Sequence, residues 1–161
     1  MNKTLKSPKA ILFDWDNTLV NNWDPIFFAY KETLKQLGLK QQTREETLKN
    51  AKYSLRETFP KIFKRDWKKA KKIFYLSFTK IHLKKIKPIA GSEKILKKIK
   101  MHNIPSGIIS NKDGVLLRKE INKLGWKKYF KVIIGANEAK KDKPSKYPLL
   151  LALKKISLKA N

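Results

Sequence analysis

The chain has 161 residues, a formal net charge of +26 and no cysteine. That length buries one core, or a modest core with a small appended subdomain, and excludes two full-sized domains. The lack of cysteine excludes disulfides, thiolate metal sites and thiol nucleophiles, and fits a reducing compartment.

No apolar run approaches bilayer length, and residues 1–9 are basic and polar with no signal-peptide core behind them. A cytoplasmic protein with no membrane partner is therefore expected. The charge alone would suit nucleic acid. Yet only four of the 39 basic residues are arginine (Arg44, Arg56, Arg65 and Arg118), the type favoured for bidentate recognition. The lysines are scattered wherever a surface helix needs a polar residue. No specific nucleic-acid partner is expected, only salt-sensitive background binding and some attraction of small anions. Four Trp, five Tyr and eight Phe supply apolar area enough to fold despite the charge.

Residues 9–13 form a short apolar run between polar residues, the pattern of a strand buried on both faces of a parallel sheet. After Asn21 and Asn22 the period turns helical, with Pro25 in the first turn and Ile26, Phe27, Tyr30, Leu34 and Leu37 on one face before Gly38. Thr43 and Glu46 make a capping-box signature for a second helix running toward Leu55. A third starts near Asp66 and carries Trp67, Ala70, Ile73, Phe74, Ser77 and Ile81 on one side. Residues 23–87 therefore read as a helical insertion.

Alternation resumes with a helix capped by Ser92, a strand over 104–109 ending at Ser110 and Asn111, and a helix capped by Asp113. A strand over 131–134, a loop over 135–143 and a last helix follow. The expected fold is α/β: a Rossmann-like three-layer core with a parallel sheet over 1–22 and 88–161, and a helical cap subdomain over 23–87. His82 and His102 lie on lysine-rich helices without metal-ligand spacing, and surface placement is expected for both.

Asp14 and Asp16 stand immediately after the first strand, and in open parallel sheets ligands bind beyond the carboxyl ends of strands. Two carboxylates one residue apart can project into one site, where their repulsion favours a divalent cation or a proton on one of them. One can attack phosphorus while the other gives a proton to the leaving alcohol and takes one from water. Residue types alone leave a plainer reading open, in which both aspartates cap the following turn and Thr18 satisfies the loop backbone. Ser110 alone is equally a turn residue, and any one lysine here is equally a surface charge.

The run Ile11, Leu12, Phe13, Asp14, Trp15, Asp16, Asn17, Thr18, Leu19, Val20 resembles the first motif of the haloacid dehalogenase-like hydrolase superfamily, Asp-x-Asp-x-Thr between apolar residues. The resemblance implies that Asp14 is the nucleophile and a metal ligand. It implies that Asp16 is the general acid and base and holds Mg2+ through its backbone carbonyl, and that Thr18 steadies the loop and lies with Asn111 at the substrate. The second aspartate points to phosphate esters, since a halide needs no proton. Ile108, Ile109, Ser110, Asn111 and Lys112 resemble the second motif, whose hydroxyl binds a phosphoryl oxygen, and the Ser-Asn-Lys triplet resembles the phosphoglycolate phosphatase-like branch.

Lys141, Asp142, Lys143 and Pro144 resemble the third motif, with Lys143 chosen because proline follows it directly and can open the final helix. An ammonium ~4 Å from the nucleophile offsets about 4 kcal/mol of repulsion at an effective dielectric of ~20. The helical insertion corresponds to the superfamily's cap, which closes over the crevice. Within it Phe27, Tyr30, Trp67 and Phe74 read as helix-bundle core, whereas Asn22 and Trp23 sit near the hinge, where substrate can be touched.

The superfamily also carries a fourth motif, commonly Gly-Asp-x-x-x-Asp after a further strand, which supplies the remaining magnesium carboxylate. From Pro144 onward this sequence has no Asp or Glu. The expectation is a core incomplete at its C-terminal side, truncated before that motif, with low or absent turnover for these residues alone. The leading expectation is a Mg2+-dependent phosphatase acting on a small phosphorylated, phosphoglycolate-like metabolite through an aspartyl-phosphate. Two alternatives stand beside it: a sugar-phosphate mutase with the same three motifs, and an inactive remnant that binds anions or nucleic acid through its lysines. Oligomeric state is left open.

Overall fold

A computed structural model of the chain describes residues 7–50 and 54–159, without the side chains of Leu48 and Asn50. The chain enters through β1 (Ile11–Phe13) and β2 (Val20–Asn21), then runs through α1 (Trp23–Gln36), α2 (Arg44–Asn50), α3 (Leu55–Phe63) and α4 (Trp67–Lys85). It continues through β3 (Lys87–Pro88), α5 (Ser92–Met101), β4 (Ser106–Asp113), α6 (Gly114–Lys123), β5 (Val132–Ala136) and α7 (Tyr147–Lys155).

The strands β1, β4 and β5 make a parallel sheet in that order. Side chains alternate across it, so its two faces bury different sets. Ile108 and Ile133 pack with Leu96 of α5 and with Leu117 and Ile121 of α6. Ile109, Val132 and Ile134 pack on the other side against Ala152 of α7. The core is thus three-layered, as its strand and helix alternation predicts. All of β5 and the first five residues of β4 are buried, but β1 is only half-buried. The expectation of burial on both faces fails there because β1 lies at the outer position, beside β4 alone. At Gly107 the strands approach so closely that a Cβ would lie 2.3 Å from Val132 Cγ1.

The helical segment leaves and re-enters through β2 and β3, which pair antiparallel with Val20 opposite Pro88 and Asn21 opposite Lys87. Its helices bury a cluster of their own, built on Tyr30 and Leu34 of α1, Phe59 and Phe63 of α3, and Ala70, Phe74 and Phe78 of α4. The rings meet mostly edge-on, as in the Tyr30–Phe59 pair with centroids 6.0 Å apart at 90°. Leu116 of α6 joins the cluster and links the two parts of the molecule.

Two predicted caps form as expected. The Thr43 backbone N–H donates to Glu46 Oε2 at 2.8 Å while the Glu46 N–H donates back to Thr43 Oγ1 at 3.2 Å. Asp113 Oδ1 accepts from the backbone N–H groups of Val115 and Leu116 at 3.0 and 3.3 Å.

Other boundaries differ from expectation. The second predicted helix ends at Asn50, residues 51–53 lie outside the described residues, and α3 begins afresh at Leu55. Pro60 inside α3 removes an amide donor, and the helix stops three residues later, before Lys64 takes φ 44°. Gly91, left-handed at φ 85°, rather than Ser92, precedes α5. The last helix opens at Tyr147 with Pro148 in its first turn, so Pro144 lies in the preceding loop. Among the described residues, no helix is long and apolar enough to cross a membrane.

Candidate active site

Beyond β1 the chain turns on Trp15. The indole is fully buried, meets Trp126 edge-on at 5.9 Å, and donates from Nε1 to Glu120 Oε2 at 2.7 Å. Anchoring Trp15 in the core fixes the turn on which Asp14 and Asp16 stand on either side of it. Both line a pocket of about 340 Å³ between the sheet and the helical segment. Asn17 adopts φ 58°, tolerated by asparagine, and its N–H donates to the Val20 carbonyl at 2.6 Å.

Two other loops reach the same pocket. Lys143 Nζ donates to Asp14 Oδ1 at 2.7 Å, with the two side chains 32% and 44% exposed. Asn111 fixes that lysine: its Oδ1 accepts from the Lys143 N–H at 3.0 Å and its Nδ2 donates to the Lys143 carbonyl at 3.1 Å. Buried Ser110 accepts from the Lys112 N–H at 3.1 Å through Oγ, which leaves its own hydroxyl proton for a ligand at the pocket wall.

Of the residues singled out in the sequence, Asp14, Asp16, Ser110, Asn111 and Lys143 therefore meet at one pocket. Asn111 lines the pocket with its amide engaged by the backbone of Lys143, so it also positions that lysine. Thr18 does not reach the pocket lining and is exposed; the turn at Asn17 carries it away, and its N–H donates to the Trp15 carbonyl at 3.3 Å. Trp23, Tyr30 and Phe74 line the pocket, whereas Asn22 is fully buried behind it.

Behind the aspartates lies a buried polar network that the motifs do not announce. Asp16 Oδ1 accepts from Asn22 Nδ2 and from Lys112 Nζ, each at 2.7 Å. Glu120 of α6, fully buried, accepts from Lys112 Nζ at 2.7 and 2.8 Å and from Asn22 Nδ2 at 3.0 Å, in addition to the Trp15 indole. His82 Nδ1 sits 2.8 Å from Glu120 Oε1, and its ring stacks on Phe78 at 4.9 Å. Surface placement of His82 is thus corrected: it is 1% exposed.

A signal for these groups does exist in the sequence. Ala70, Phe74, Phe78 and His82 recur every fourth residue on α4, and Glu120 is flanked on its helix by Leu116, Leu117 and Ile121. An ionisable group on an apolar stripe must find a partner inside.

A sequence model of the haloacid dehalogenase-like hydrolases matches residues 11–161. The chain belongs to that family. It is 27% identical to a phosphoglycolate phosphatase of Aquifex aeolicus over 90% of its own length and 68% of the relative's. It is 29% identical to a bifunctional riboflavin kinase/FMN phosphatase of Arabidopsis thaliana over 96% of its length, of which it spans 42%. A haloacid dehalogenase-like protein of Streptococcus pneumoniae shares the fold at TM-score 0.82 and 21% identity, covering 92% of this chain and 70% of that one.

Within this haloacid dehalogenase-like site Asp16 is the more enclosed of the two aspartates. Burial pushes the Asp16 carboxyl above its ordinary value; the Lys112 ammonium pulls against that shift and the Glu120 carboxylate adds to it. Glu120 is also pushed up by burial, but the contacts from His82, Lys112 and Trp15 outweigh this and hold it below its ordinary value. The network thus keeps an ionised carboxylate at Glu120 and favours a proton on Asp16.

For a divalent cation the site offers a hard oxygen donor in the Asp14 carboxylate, whose Oδ2 makes no hydrogen bond among the described residues. Among the described residues no group of three or more His, Cys, Asp or Glu side chains could hold a metal. That oxygen donor fits Mg2+, which retains several waters and is commonly held by one or two carboxylates plus substrate phosphate oxygens.

Proposed function

We propose that the chain is a phosphoric monoester hydrolase that releases phosphate from a small phosphorylated metabolite through an aspartyl-phosphate on Asp14. The observation that carries this reading is the contact between Lys143 Nζ and Asp14 Oδ1, 2.7 Å, at the pocket that Asp16 also lines. The Asp14 carboxylate is reachable from the pocket beside an ammonium, while burial favours the acid form of Asp16.

An Asp14 oxygen attacks phosphorus, and the bond from phosphorus to the ester oxygen breaks as the Asp16 proton passes to the departing alcohol. Lys143 offsets charge on the nucleophile and the phosphoryl group, and the Ser110 hydroxyl donates to a phosphoryl oxygen. Asp16, now ionised, takes a proton from the water that attacks the phospho-aspartate, which frees inorganic phosphate and restores Asp14. Mg2+, held by Asp14 and the Asp16 carbonyl, would supply neutralisation of the phosphoryl oxygens.

Ethyl phosphate, a minimal alkyl monoester, tests the reading. Phosphate release in Mg2+ buffer that stops on chelation and returns on adding Mg2+ is expected. Release indifferent to the chelator would remove the metal from the scheme, and no release at any Mg2+ concentration would overturn the proposed activity.

A further inference from the structure

The pocket lining is chemically mixed: Asp14, Asp16, Ser110 and Lys143 share it with the partly exposed apolar side chains of Trp23, Ile26, Leu55 and Tyr75. A phosphorylated metabolite with a carboxylate on its alcohol part needs a cation beyond the phosphoryl site, and among the described residues the cations that line this pocket are already paired. Lys112, 6% exposed, is shared between Asp16 and Glu120, and Lys143 is on Asp14. Arg56, next to the pocket-lining Leu55, is ion-paired at 3.0 Å with buried Asp142. The third acidic residue of the lining, Asp113, would repel a second anionic group.

Resting on the hydrolase reading above, we infer that the alcohol part of the substrate is an uncharged ring-bearing group, seated against Trp23, Ile26 and Tyr75, the partly exposed apolar side chains of the lining, and not a small carboxylate such as glycolate. A pocket of about 340 Å³ accommodates a ring in addition to the phosphoryl group. Flat rings also suit the edges and faces that aromatic side chains present.

Phosphonates that cannot turn over test the inference independently of hydrolysis. Benzylphosphonate, ethylphosphonate and phosphonoacetate are titrated into the full chain in Mg2+ buffer by calorimetry. Benzylphosphonate is expected to bind about 10- to 100-fold tighter than ethylphosphonate, the gain of burying one ring, with phosphonoacetate no tighter than ethylphosphonate. Trp23→Ala, which removes a wall outside the buried helix cluster, is expected to narrow the benzyl-to-ethyl ratio several-fold. Phosphonoacetate binding tightest, a ratio near unity, or no binding of benzylphosphonate would each overturn the inference. The hydrolase reading is judged separately by phosphate release.

Discussion

Replacing Asp14 with asparagine is expected to lower phosphate release by about 10^4-fold or more, the scale seen when a covalent nucleophile is lost, with little change in Tm. The amide keeps the shape and one oxygen for the Trp15 N–H, which Asp14 Oδ1 accepts at 2.8 Å. It cannot attack phosphorus, and it no longer carries the charge that holds Lys143 Nζ at 2.7 Å. At 44% exposure the side chain contributes little to the core, so the two readouts separate. Initial rates and a thermal melt of both proteins check this. A variant rate within tenfold of the parent would mean that another group carries the phosphoryl transfer.

Glu120→Leu is expected to cost about 3–5 kcal/mol of stability, because removing one member of a buried ion pair strands the others. Lys112, His82, Asn22 and the Trp15 indole all lose a buried acceptor, although leucine itself suits the apolar stripe of α6. Glu120→Gln, which keeps one carbonyl acceptor, should cost about 1–3 kcal/mol.

The pH dependence has a definite sign. The Glu120 carboxyl lies below its ordinary value of 4.5 when folded, so the unfolded chain binds its proton first. Its contribution is fully present above 4.5 and is lost as pH falls through the folded value. Urea unfolding of parent and Glu120→Gln should therefore differ fully at neutral pH and converge in acid. A gap that widened in acid would show that Glu120 is not held ionised. Activity should fall too, since Lys112 and Asn22 are shared between Glu120 and Asp16 and would reorient around the proton donor.

Much of the site was legible in the sequence because its chemistry is local. Asp14 and Asp16 follow an apolar strand directly, Ser110 lies within β4 beyond its apolar run, and Lys143 is marked by the proline after it. The caps at Thr43 and Asp113 were legible for the same reason, each being a side chain answering amides within three residues. The buried network was not, because it joins partners far apart in sequence: Trp15 to Glu120, Asp16 to Lys112, His82 to Glu120. Composition pushed His82 the other way, since in a chain this rich in lysine a histidine on a lysine-rich helix reads as surface.

The four aromatics read as helix-bundle core divide in the structure. Phe27 lies beneath the Arg44 guanidinium at 5.6 Å and Trp67 packs partly buried at the edge of the cluster. Tyr30 and Phe74 belong to the cluster and to the pocket wall at once. Helical period tells which side is apolar, but not that an apolar side is shared between core and ligand.

The most direct test of Asp14 as nucleophile is acid quenching during turnover, followed by peptide mass spectrometry of the trapped protein. A phosphoryl adduct on the peptide carrying Asp14, lost in Asp14→Asn and sensitive to hydroxylamine as an acyl phosphate is, is the expected result. Phosphate release with the adduct on another peptide, or with no adduct under conditions that trap acyl phosphates, would contradict it.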